Sequence, residues 1–448
     1  MTVKIAFLDP AGGDYTPDTP RLHPLGGSQS ALCYLAEALA ASKLEVTLVN
    51  GTRTPGMVRG VRCLPAGAVS WEGMRAFDVV VLLNGCPTEG LTRLRATLDG
   101  GRKLILWMQH AVDQAAAQCV AEPEARACWD GYAFVSRWQM DGYLTAFGLD
   151  RRLCRILRNG IAPAFSGLFP PGADIRAAKP WPPVLAYTST PFRGLDVLLD
   201  SVPRLRAAIP GTTVRVFSSL DGYQVPADRD PYGALYRRCR ETEGVDYVGA
   251  VSQGALAEAL RGATGIAYPN RFAETSCIAV MEALAAGCLV VSSALGALPE
   301  TTAGFARLIP VPEDPAEHAV RFADTARTAL LQWRDDGAIT GRRLREQVDH
   351  VTTGMSWAGR AADWLAWFDE LRGNRKDAAS AGTAGGGGAA RLPPGQQTPL
   401  AAPRPHPKPR PPAPKGQGVR GGGRRGDVRA GGRASARTPT RAGEARRA

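Results

Sequence analysis

Two glutamates eight residues apart, Glu274 and Glu282, have the residue type and spacing most suggestive of chemistry. They lie in the segment RFAETSCIAVMEALAAG, residues 271–287, which follows a short apolar run. Thr275 or Ser276 can cap the helix that follows, which places Glu282 on its second turn. Six helical residues rise by about 9 Å, roughly the distance between sugar and ribose across a diphosphate. The pattern predicts one acid for sugar hydroxyls and one for ribose hydroxyls, with a helix start facing phosphate between them.

Two further segments contain groups suited to an anion. Gly26-Gly27-Ser28 ends the loop after the first apolar run, where the glycines let a ligand approach the backbone and Ser28 is a plausible helix cap. Arg193, in YTSTPFRGLDVLL, offers a guanidinium that can neutralise a diphosphate. Each segment also has an ordinary interpretation, a plain turn before a helix in one case and a solvated surface arginine in the other.

The elements that must position these residues are short apolar runs alternating with helical patterns. In the first half of the chain the runs are Val3–Leu8, Val46–Val49, Val79–Leu83, Leu104–Met108 and Tyr132–Val135. In the second half they are Val184–Thr188, Val214–Ser218, Val245–Val248, Gly265–Tyr268 and Leu289–Ser292. Such alternation predicts parallel sheets covered on both faces. We therefore predict an α/β protein of two Rossmann-like, doubly wound domains.

The boundary between the two domains is predicted within residues 160–183, a stretch rich in Pro and Gly without periodicity. The first domain then covers residues 1–165 and the second covers residues 180–355. Ligands of open α/β sheets bind at the carboxyl ends of the strands, so a cleft between the domains is the expected site. No G-x-G-x-x-G follows the first strand, and neither G-x-x-x-x-G-K-[ST] nor G-x-S-x-G occurs. The sequence therefore lacks the local motifs that would indicate a dinucleotide dehydrogenase, a P-loop kinase or an α/β-hydrolase.

The net charge of +12 is concentrated at the C-terminus of the 448-residue chain. Residues 373–448 contain 16 Lys plus Arg against 3 acids, which leaves 38 basic and 39 acidic residues before them. Because this tail is rich in Gly, Pro, Ala and Arg, it is predicted to be disordered, and its charge says nothing about the globular part.

The nine scattered cysteines argue against a disulfide framework or a zinc site. With no apolar stretch long enough for a signal peptide or a membrane span, a cytoplasmic location is expected.

Four motifs resemble, in chain order, those of the retaining GT-B glycosyltransferases of family 4, also described as glycosyl transferases group 1: GGS at 26–28, Asn159-Gly160-Ile161, PFRGLD at 191–196, and Glu274-x7-Glu282 followed by ALAAG. The resemblance covers residues 3 to about 371. It implies a nucleoside diphosphate sugar held mainly by the second domain and an acceptor held mainly by the first. It also implies that a last helix, residues 356–372, packs back on the first domain.

The resemblance assigns roles to individual residues. Glu282 would bind the donor ribose and Glu274 the transferred sugar. Arg193 would bind the diphosphate, at a position where the family usually has Lys. His110, just after the fourth predicted strand, is similar to the family's active-site histidine near the sugar, although a lone histidine is also compatible with a structural role.

Donor phosphates are expected to contact backbone groups and small side chains of Gly26, Gly27, Ser276 and Cys277. The chain departs from the family at two places. Thr188 stands where a second basic residue is common, and Thr275-Ser276-Cys277 replaces the usual Pro-Phe-Gly. Phosphate contact is therefore expected to depend more on N–H groups and hydroxyls. A nucleophilic Cys277 is disfavoured against a small buried residue at a helix start.

The implied activity is retaining, metal-independent transfer of a hexose-type sugar to a hydroxyl acceptor, a glycan or a lipid-linked compound of the cell envelope, without a cofactor. Asp228-Arg229-Asp230 spells the D-x-D of metal-dependent transferases, but it lies in a Pro-flanked loop and is not expected to chelate a cation. One alternative is a GT-B sugar-nucleotide epimerase. Another is a degenerate, non-catalytic GT-B protein with a nucleic-acid-binding tail. The tail is more simply explained as a weakly selected extension, or as a peripheral contact with anionic lipid.

Overall fold

The structure is a computed structural model that describes residues 2–99 and 101–373. The predicted disordered tail lies outside the described residues apart from Gly373. The described chain contains two sheets, each with helices on both faces, which confirms the predicted α/β class. These two sheets occupy the first and second halves of the described chain.

The first sheet has eight strands in the order β3-β4-β2-β1-β5-β6-β7-β8, parallel except for the β3–β4 pair at one edge. The strands are β1 Lys4–Leu8, β2 Glu45–Asn50, β3 Gly56–Val58, β4 Val61–Pro65, β5 Val79–Leu83, β6 Lys103–Met108, β7 Gly131–Phe134 and β8 Cys154–Ile156. The α-helices of this half are α1 Thr19–Leu22, α2 Gly27–Ala41, α3 Thr88–Thr97, α4 Pro123–Ala127 and α5 Arg137–Phe147.

The second sheet has six strands, all parallel, in the order β11-β10-β9-β12-β13-β14. The strands are β9 Val184–Tyr187, β10 Thr213–Val216, β11 Val245–Tyr247, β12 Gly265–Tyr268, β13 Leu289–Ser293 and β14 Arg307–Ile309. The α-helices are α6 Leu195–Ala208, α7 Gly233–Glu241, α8 Gln253–Arg261, α9 Ile278–Ala285, α10 Leu298–Thr302, α11 Pro315–Asp335, α12 Gly337–Gly354 and α13 Trp357–Leu371.

Burial explains why these runs form central strands. Every residue of β5, the sequence VVVLL, is buried, as is every residue of β12. A strand with helices on both faces needs apolar side chains at successive positions, not at alternate ones. Between β8 and β9 the described chain has neither strand nor α-helix, only short 3₁₀ turns such as Pro163–Phe165 and Arg176–Ala178.

Helix α13 packs against α2, on the first sheet. Its Trp364 is fully buried and contacts the rings of Phe7 and Trp107 edge to face, at centroid distances of 6.4 and 5.2 Å. Ser356 caps the helix by accepting from the backbone N–H of Gly359. A helix whose sequence follows the second sheet therefore completes the core of the first half.

Polar contacts also join the two halves of the described chain. The side-chain amide of Gln224 pairs with the backbone of Asp14 through bonds of 3.1 and 2.9 Å. On α10, Glu300 accepts from the backbone N–H of Arg137 at 3.0 Å, at the start of α5, and forms an ion pair with Arg158. A carboxylate at a helix start is favoured by the helix dipole. Within residues 2–99 and 101–373, no helix has the length and apolar character needed to cross a membrane.

Candidate active site

The carboxyl ends of strands from both sheets face one cleft with a cavity volume of about 230 Å³. The first half contributes the start of α2 and residues that follow β6, and the second half contributes the loops after β9, β10, β11 and β12. The charged residues that line the cleft are Arg193, Glu274 and Glu282. The structure thus brings together the three charged residues for which the sequence predicted ligand contacts.

Glu274 lies in the turn after β12, with its side chain only 5% exposed. Its Oε1 accepts hydrogen bonds from Nη1 of Arg193 at 2.9 Å and from the hydroxyl of Tyr268 at 2.5 Å. Arg193 ends the 3₁₀ turn Pro191–Arg193 that precedes α6, and its guanidinium lies 4.6 Å from the ring centroid of Phe272. The sequence predicted separate ligand roles for Glu274 and Arg193 but not that they form an ion pair.

The backbone of Glu274 is fixed by the turn after β13. Gly296 has φ +63°, and a Cβ there would lie 2.4 Å from the carbonyl oxygen of Glu274, so both the conformation and the space require glycine. The next residue, Ala297, donates its N–H to that same oxygen at 2.7 Å. The loop that presents Glu274 is therefore held from a neighbouring strand end.

Glu282 lies on the second turn of α9, as predicted, and is 2% exposed. Its Oε1 accepts a hydrogen bond of 3.2 Å from the backbone N–H of Ala162, which follows the first sheet. Burial raises the pKa of Glu282 from 4.5 to about 8, and the Ala162 N–H opposes the shift. A buried carboxyl with one weak donor is suited to accept further donors from a ligand.

Asn159-Gly160-Ile161, which the sequence analysis singled out, is fixed by the start of α13. The N–H of Ile161 donates to the carbonyl of Met355 at 2.9 Å, and a Cβ on Gly160 would lie 2.9 Å from that oxygen. The backbone φ of Gly160 is not in the left-handed region, so the reason for glycine here is the close approach of the Met355 carbonyl. Because Ala162 follows directly, this packing positions the N–H that contacts Glu282.

Helix α2 presents its start to the cleft, but it is not capped as predicted. The cap position is Gly26 and the helix begins at Gly27, with no side-chain cap, so the expectation that Ser28 is the cap was wrong. Ser28 instead lies within the first turn and lines the cleft. A Cβ on Gly26 would lie 2.8 Å from Oε1 of Gln29, in the same helix, and 3.2 Å from the ring of Tyr223, in the second half. The close approach of both side chains thus favours glycine at this helix start.

Helix α9 also lacks the predicted side-chain cap. The cap position is Cys277, without a side-chain hydrogen bond, so neither Thr275 nor Ser276 caps the helix. The Thr275 hydroxyl instead donates to the carbonyl of Gln109, across the cleft, at 2.7 Å. The side chain of Gln109 in turn forms a reciprocal amide pair with Asn159, with bonds of 3.1 and 2.9 Å. Proline, the usual residue at this place in the family resembled, has no hydroxyl with which to make this bond.

This observation leads to a prediction for Thr275. Thr275→Val keeps the side-chain shape and leaves the buried Gln109 carbonyl without its donor, so we expect the free energy of unfolding to fall by about 1–3 kcal/mol. Thr275→Ser retains the hydroxyl and should recover most of the stability. Denaturant unfolding of both variants checks this. Equal stability of the valine and serine variants would show that the hydroxyl is irrelevant.

His110 follows β6 next to Gln109, and its backbone carbonyl accepts from the side chains of Gln139 and Tyr143 at 2.8 and 3.2 Å. Its imidazole is not among the groups that line the cleft. Burial and then the charge of Arg193 lower the pKa of His110, which keeps the ring neutral at pH 7. The structure therefore places His110 beside the site, on the side of the first sheet.

Cys277 is buried at the start of α9 and lines the cleft. Burial, and then the nearby charge of Glu274, raise the pKa of its thiol well above the ordinary value. Since the thiolate is the reactive form, this environment does not activate Cys277 as a nucleophile.

Four cleft residues have a buried polar side-chain atom without a hydrogen-bond partner: Thr188 Oγ1, Thr190 Oγ1, Arg193 Nε and Gln253 Oε1. Buried polar groups are normally paired, and leaving one unpaired costs about 1–3 kcal/mol. Three of the four lie in the single turn between β9 and α6. A polar ligand with several acceptor atoms would satisfy the hydroxyls and the guanidinium together.

Asp228-Arg229-Asp230 lies in the loop between β10 and α7. Asp230 accepts from the hydroxyl of Tyr236 at 2.8 Å and from the N–H of Tyr232 at 2.9 Å. Neither aspartate lines the cleft. In the part of the chain that the structure describes, no group of three or more His, Cys, Asp or Glu side chains is arranged to hold a metal ion.

Comparison with known proteins gives the architecture a context. Residues 182–327 match the sequence model of the family described as glycosyl transferases group 1. The whole described fold resembles sucrose-phosphate synthase from Thermosynechococcus elongatus, with 18% identity, a TM-score of 0.57, and coverage of 83% of this chain and 100% of that one. The fold is GT-B.

Other GT-B structures resemble this chain with comparable sequence identities and TM-scores. HepE from Anabaena, solved in complex with UDP and glucose, is 13% identical with a TM-score of 0.57, over 82% of this chain and 100% of that one. The UDP-forming α,α-trehalose-phosphate synthase from Burkholderia vietnamiensis is 11% identical with a TM-score of 0.58, over 84% and 99%. A search of curated proteins finds no match. The match over residues 182–327 includes Arg193, Glu274 and Glu282.

The sequence analysis missed three residues that shape the site: Tyr268, Gln109 and Gly296. Tyr268 is the last residue of β12 and Gln109 follows β6 directly, so each lies where a parallel sheet presents side chains to ligands. That positional rule is the signal that could have identified them. Gly296, in the sequence SSALGALPE, offered only a glycine after a strand, a signal shared with many turns.

Proposed function

We propose that this protein is a retaining glycosyltransferase that transfers a hexose-type sugar from a nucleoside diphosphate sugar to a hydroxyl acceptor. The observation that carries the proposal is the arrangement of Glu274 and Glu282, which line one cleft whose opposite wall is the start of α2. The group 1 match over residues 182–327 supports the same activity, because it covers both acids. HepE, a protein of this fold, forms a complex with UDP and glucose, and these are the kinds of ligand that the proposed donor site would bind.

The proposed donor lies along the second half of the chain. The ribose hydroxyls donate to Glu282, and the diphosphate lies between the starts of α2 and α9, where free N–H groups and the helix dipoles favour an anion. The unpaired hydroxyls of Thr188 and Thr190 and the unpaired Nε of Arg193 provide further donors to the phosphates. In this arrangement Thr188 supplies a hydroxyl where the resembled family commonly has a second basic residue.

The transferred sugar is proposed to lie against Glu274, with the neutral His110 beside the site. The bond from the anomeric carbon to the phosphate oxygen breaks while the acceptor oxygen bonds to that carbon on the same face of the sugar. The acceptor proton passes to the leaving phosphate. In this reaction the protein positions the substrates and stabilises the developing charge, through Arg193 and the helix starts. No protein nucleophile is needed.

We propose that no metal takes part, since the diphosphate charge is met by protein groups. EDTA is then expected to leave turnover within about 2-fold of the untreated rate, and Asp228→Asn combined with Asp230→Asn should do the same. Turnover of a nucleotide sugar in the presence and absence of EDTA checks this. A loss of activity that Mg²⁺ or Mn²⁺ restores would reinstate the D-x-D as a metal site.

The acceptor is proposed to be a glycan or a lipid-linked compound that enters from the first half, at a cytoplasmic membrane face. Residues 373–448 would supply a peripheral contact through their positive charge, and nucleic acid is not the proposed partner. The segment that would make this contact lies outside the described residues. Salt-sensitive binding of the full chain to anionic vesicles, absent for a chain that ends at Arg372, would support the contact.

The proposed function is tested with a panel of UDP-, GDP-, ADP- and TDP-sugars and hydroxyl acceptors, with release of the nucleoside diphosphate as the readout. We expect release from at least one donor that depends on an acceptor, and a product with the donor's anomeric configuration by NMR. Conversion of the donor to an epimer without any acceptor would favour the epimerase. Failure of every donor to bind would favour the non-catalytic alternative.

A further inference from the structure

We propose that Tyr268 is a positioning residue that, together with Arg193, fixes Oε1 of Glu274 and thereby presents Oε2 to the donor sugar. This inference rests on the proposed function. Its starting observation is that the hydrogen bonds from Arg193 and Tyr268 to the Glu274 carboxylate both fall on Oε1, at 2.9 and 2.5 Å. Neither falls on Oε2, and Glu274 lines the cleft.

The surroundings of Tyr268 make its hydroxyl a dependable donor. The side chain is 1% exposed and its ring packs edge to face on that of Tyr187, with centroids 5.8 Å apart. Burial, and then the charge of Glu274, raise the pKa of Tyr268 well above its ordinary value, so the phenol keeps its proton. Ser189 Oγ lies 3.2 Å from the same hydroxyl and limits its rotation. The buried ring therefore holds the Tyr268 hydroxyl in a fixed position relative to the end of β12.

Two donors on one carboxylate oxygen have a specific consequence for a sugar hydroxyl. They fix the carboxylate plane and remove the rotamer freedom that a cleft glutamate would otherwise have to lose on binding. Because Arg193 also has a buried Nε without a partner, one guanidinium can contact Glu274 and the donor diphosphate at the same time. Tyr268 does not line the cleft, but its hydroxyl also lies 3.2 Å from Ser189 Oγ in the cleft turn. An unchanged affinity for the nucleoside diphosphate in Tyr268→Phe therefore assigns the effect to Glu274 and not to that turn.

The test compares Tyr268→Phe with Tyr236→Phe. Tyr236 is a matched control, since its hydroxyl also donates to a carboxylate of the second half, Asp230, at 2.8 Å, but neither residue lines the cleft. For the panel donor with the highest turnover, beginning with UDP-glucose, we expect Tyr268→Phe to lower kcat by about 10-fold or more. The Kd of the corresponding nucleoside diphosphate should stay within about 2-fold of wild type. Tyr236→Phe should change neither.

A purely structural role for Tyr268 would lower the melting temperature without separating kcat from nucleotide affinity. Phenylalanine fills the same space, so the variant is expected to fold, and thermal unfolding verifies this. A double-mutant cycle of Tyr268→Phe with Glu274→Ala, which removes the acceptor, should also show coupling on unfolding, whatever the donor.

The outcomes separate the two claims. If the wild type turns over a donor and Tyr268→Phe has the same kcat, the positioning role of Tyr268 is contradicted and the proposed function is not. Absence of coupling in the cycle also contradicts it. A wild type that turns over no nucleotide sugar shows that the proposed function is wrong, and the positioning role is then wrong with it.

Discussion

Glu274→Gln is expected to lower turnover by about 100-fold or more while the affinity for the nucleoside diphosphate stays nearly unchanged. The amide oxygen can still accept from Tyr268 and Arg193, so the loop keeps its shape, but the charge that interacts with the transferred sugar is lost. Interactions concentrated in the transition state reduce kcat and not ground-state nucleotide affinity. Steady-state kinetics together with calorimetric titration of the nucleoside diphosphate measure both quantities.

Asp230→Asn is the matched control for this prediction. It makes the same carboxyl-to-amide change beside a tyrosine hydroxyl in the same half of the chain, outside the cleft lining. We expect its turnover to equal that of wild type. Near-normal turnover of Glu274→Gln would remove the assigned role, and an equal loss in Asp230→Asn would show that the effect is not specific to the cleft.

Glu282→Ala is expected to weaken the nucleotide sugar and the free nucleoside diphosphate alike, by about 1.5–3 kcal/mol, or about 10-fold to 100-fold in Kd. The reason is the loss of a charged acceptor for both ribose hydroxyls, so the effect should be largest near pH 9, where the Glu282 carboxylate is ionised. In contrast to Glu274→Gln, kcat at saturating donor should change much less. Titration of wild type and variant with both ligands measures the effect.

The same residue predicts a pH dependence. Because the pKa of Glu282 is raised to about 8, only about a tenth of the free protein carries the carboxylate at pH 7. Ribose hydroxyls donate best to the ionised form, so nucleoside diphosphate affinity should rise by up to about 10-fold between pH 7 and pH 9, where the phosphates no longer titrate. Glu282→Gln should bind more weakly and without this rise. A flat wild-type profile would contradict ionisation of Glu282 on binding.

The stability of the unliganded protein should change in the opposite direction. The folded pKa lies above the unfolded value of 4.5, so the unfolded chain releases the proton first as pH rises. The contribution of the protonated carboxyl is fully present below pH 4.5 and is lost as the pH rises through about 8. Glu282→Gln should therefore become more stable relative to wild type with increasing pH, as melting curves at pH 6 and pH 9 would show.

Much of the fold was predictable because buried parallel strands are continuous apolar runs. Val79–Leu83 and Gly265–Tyr268 were predicted with the bounds that the structure has. Four strands were missed: β3, β4, β8 and β14. All four lie at or beside a sheet edge and are three to five residues long. In β4, which lies next to the edge strand β3, and in the edge strand β14, exposed Arg62 and Arg307 interrupt the apolar pattern, because strands near a sheet edge are only partly covered.

The site was predictable to the extent that it follows strand ends and helix starts. Glu274 and Arg193 were found because each is a charged residue in a turn that follows a strand, and Glu282 because it is an acid in the otherwise apolar helix α9. The cap predicted at Thr275 was wrong because its hydroxyl donates instead to the Gln109 carbonyl, which lies 166 residues away in the chain and leaves no local sequence pattern. For the same reason the contact from Ala162 to Glu282 and the ion pair of Arg193 with Glu274 required the folded chain.

The most direct test of this account is the binding of a nucleoside diphosphate and its 2′,3′-dideoxy analogue to wild type and Glu282→Ala. If the cleft holds a nucleotide with its ribose on Glu282, wild type should bind the full nucleotide about 10-fold to 100-fold more tightly than the analogue. Wild type and variant should bind the analogue equally, because it lacks both hydroxyls. A variant that loses affinity for the dideoxy analogue as strongly as for the full nucleotide would contradict the account.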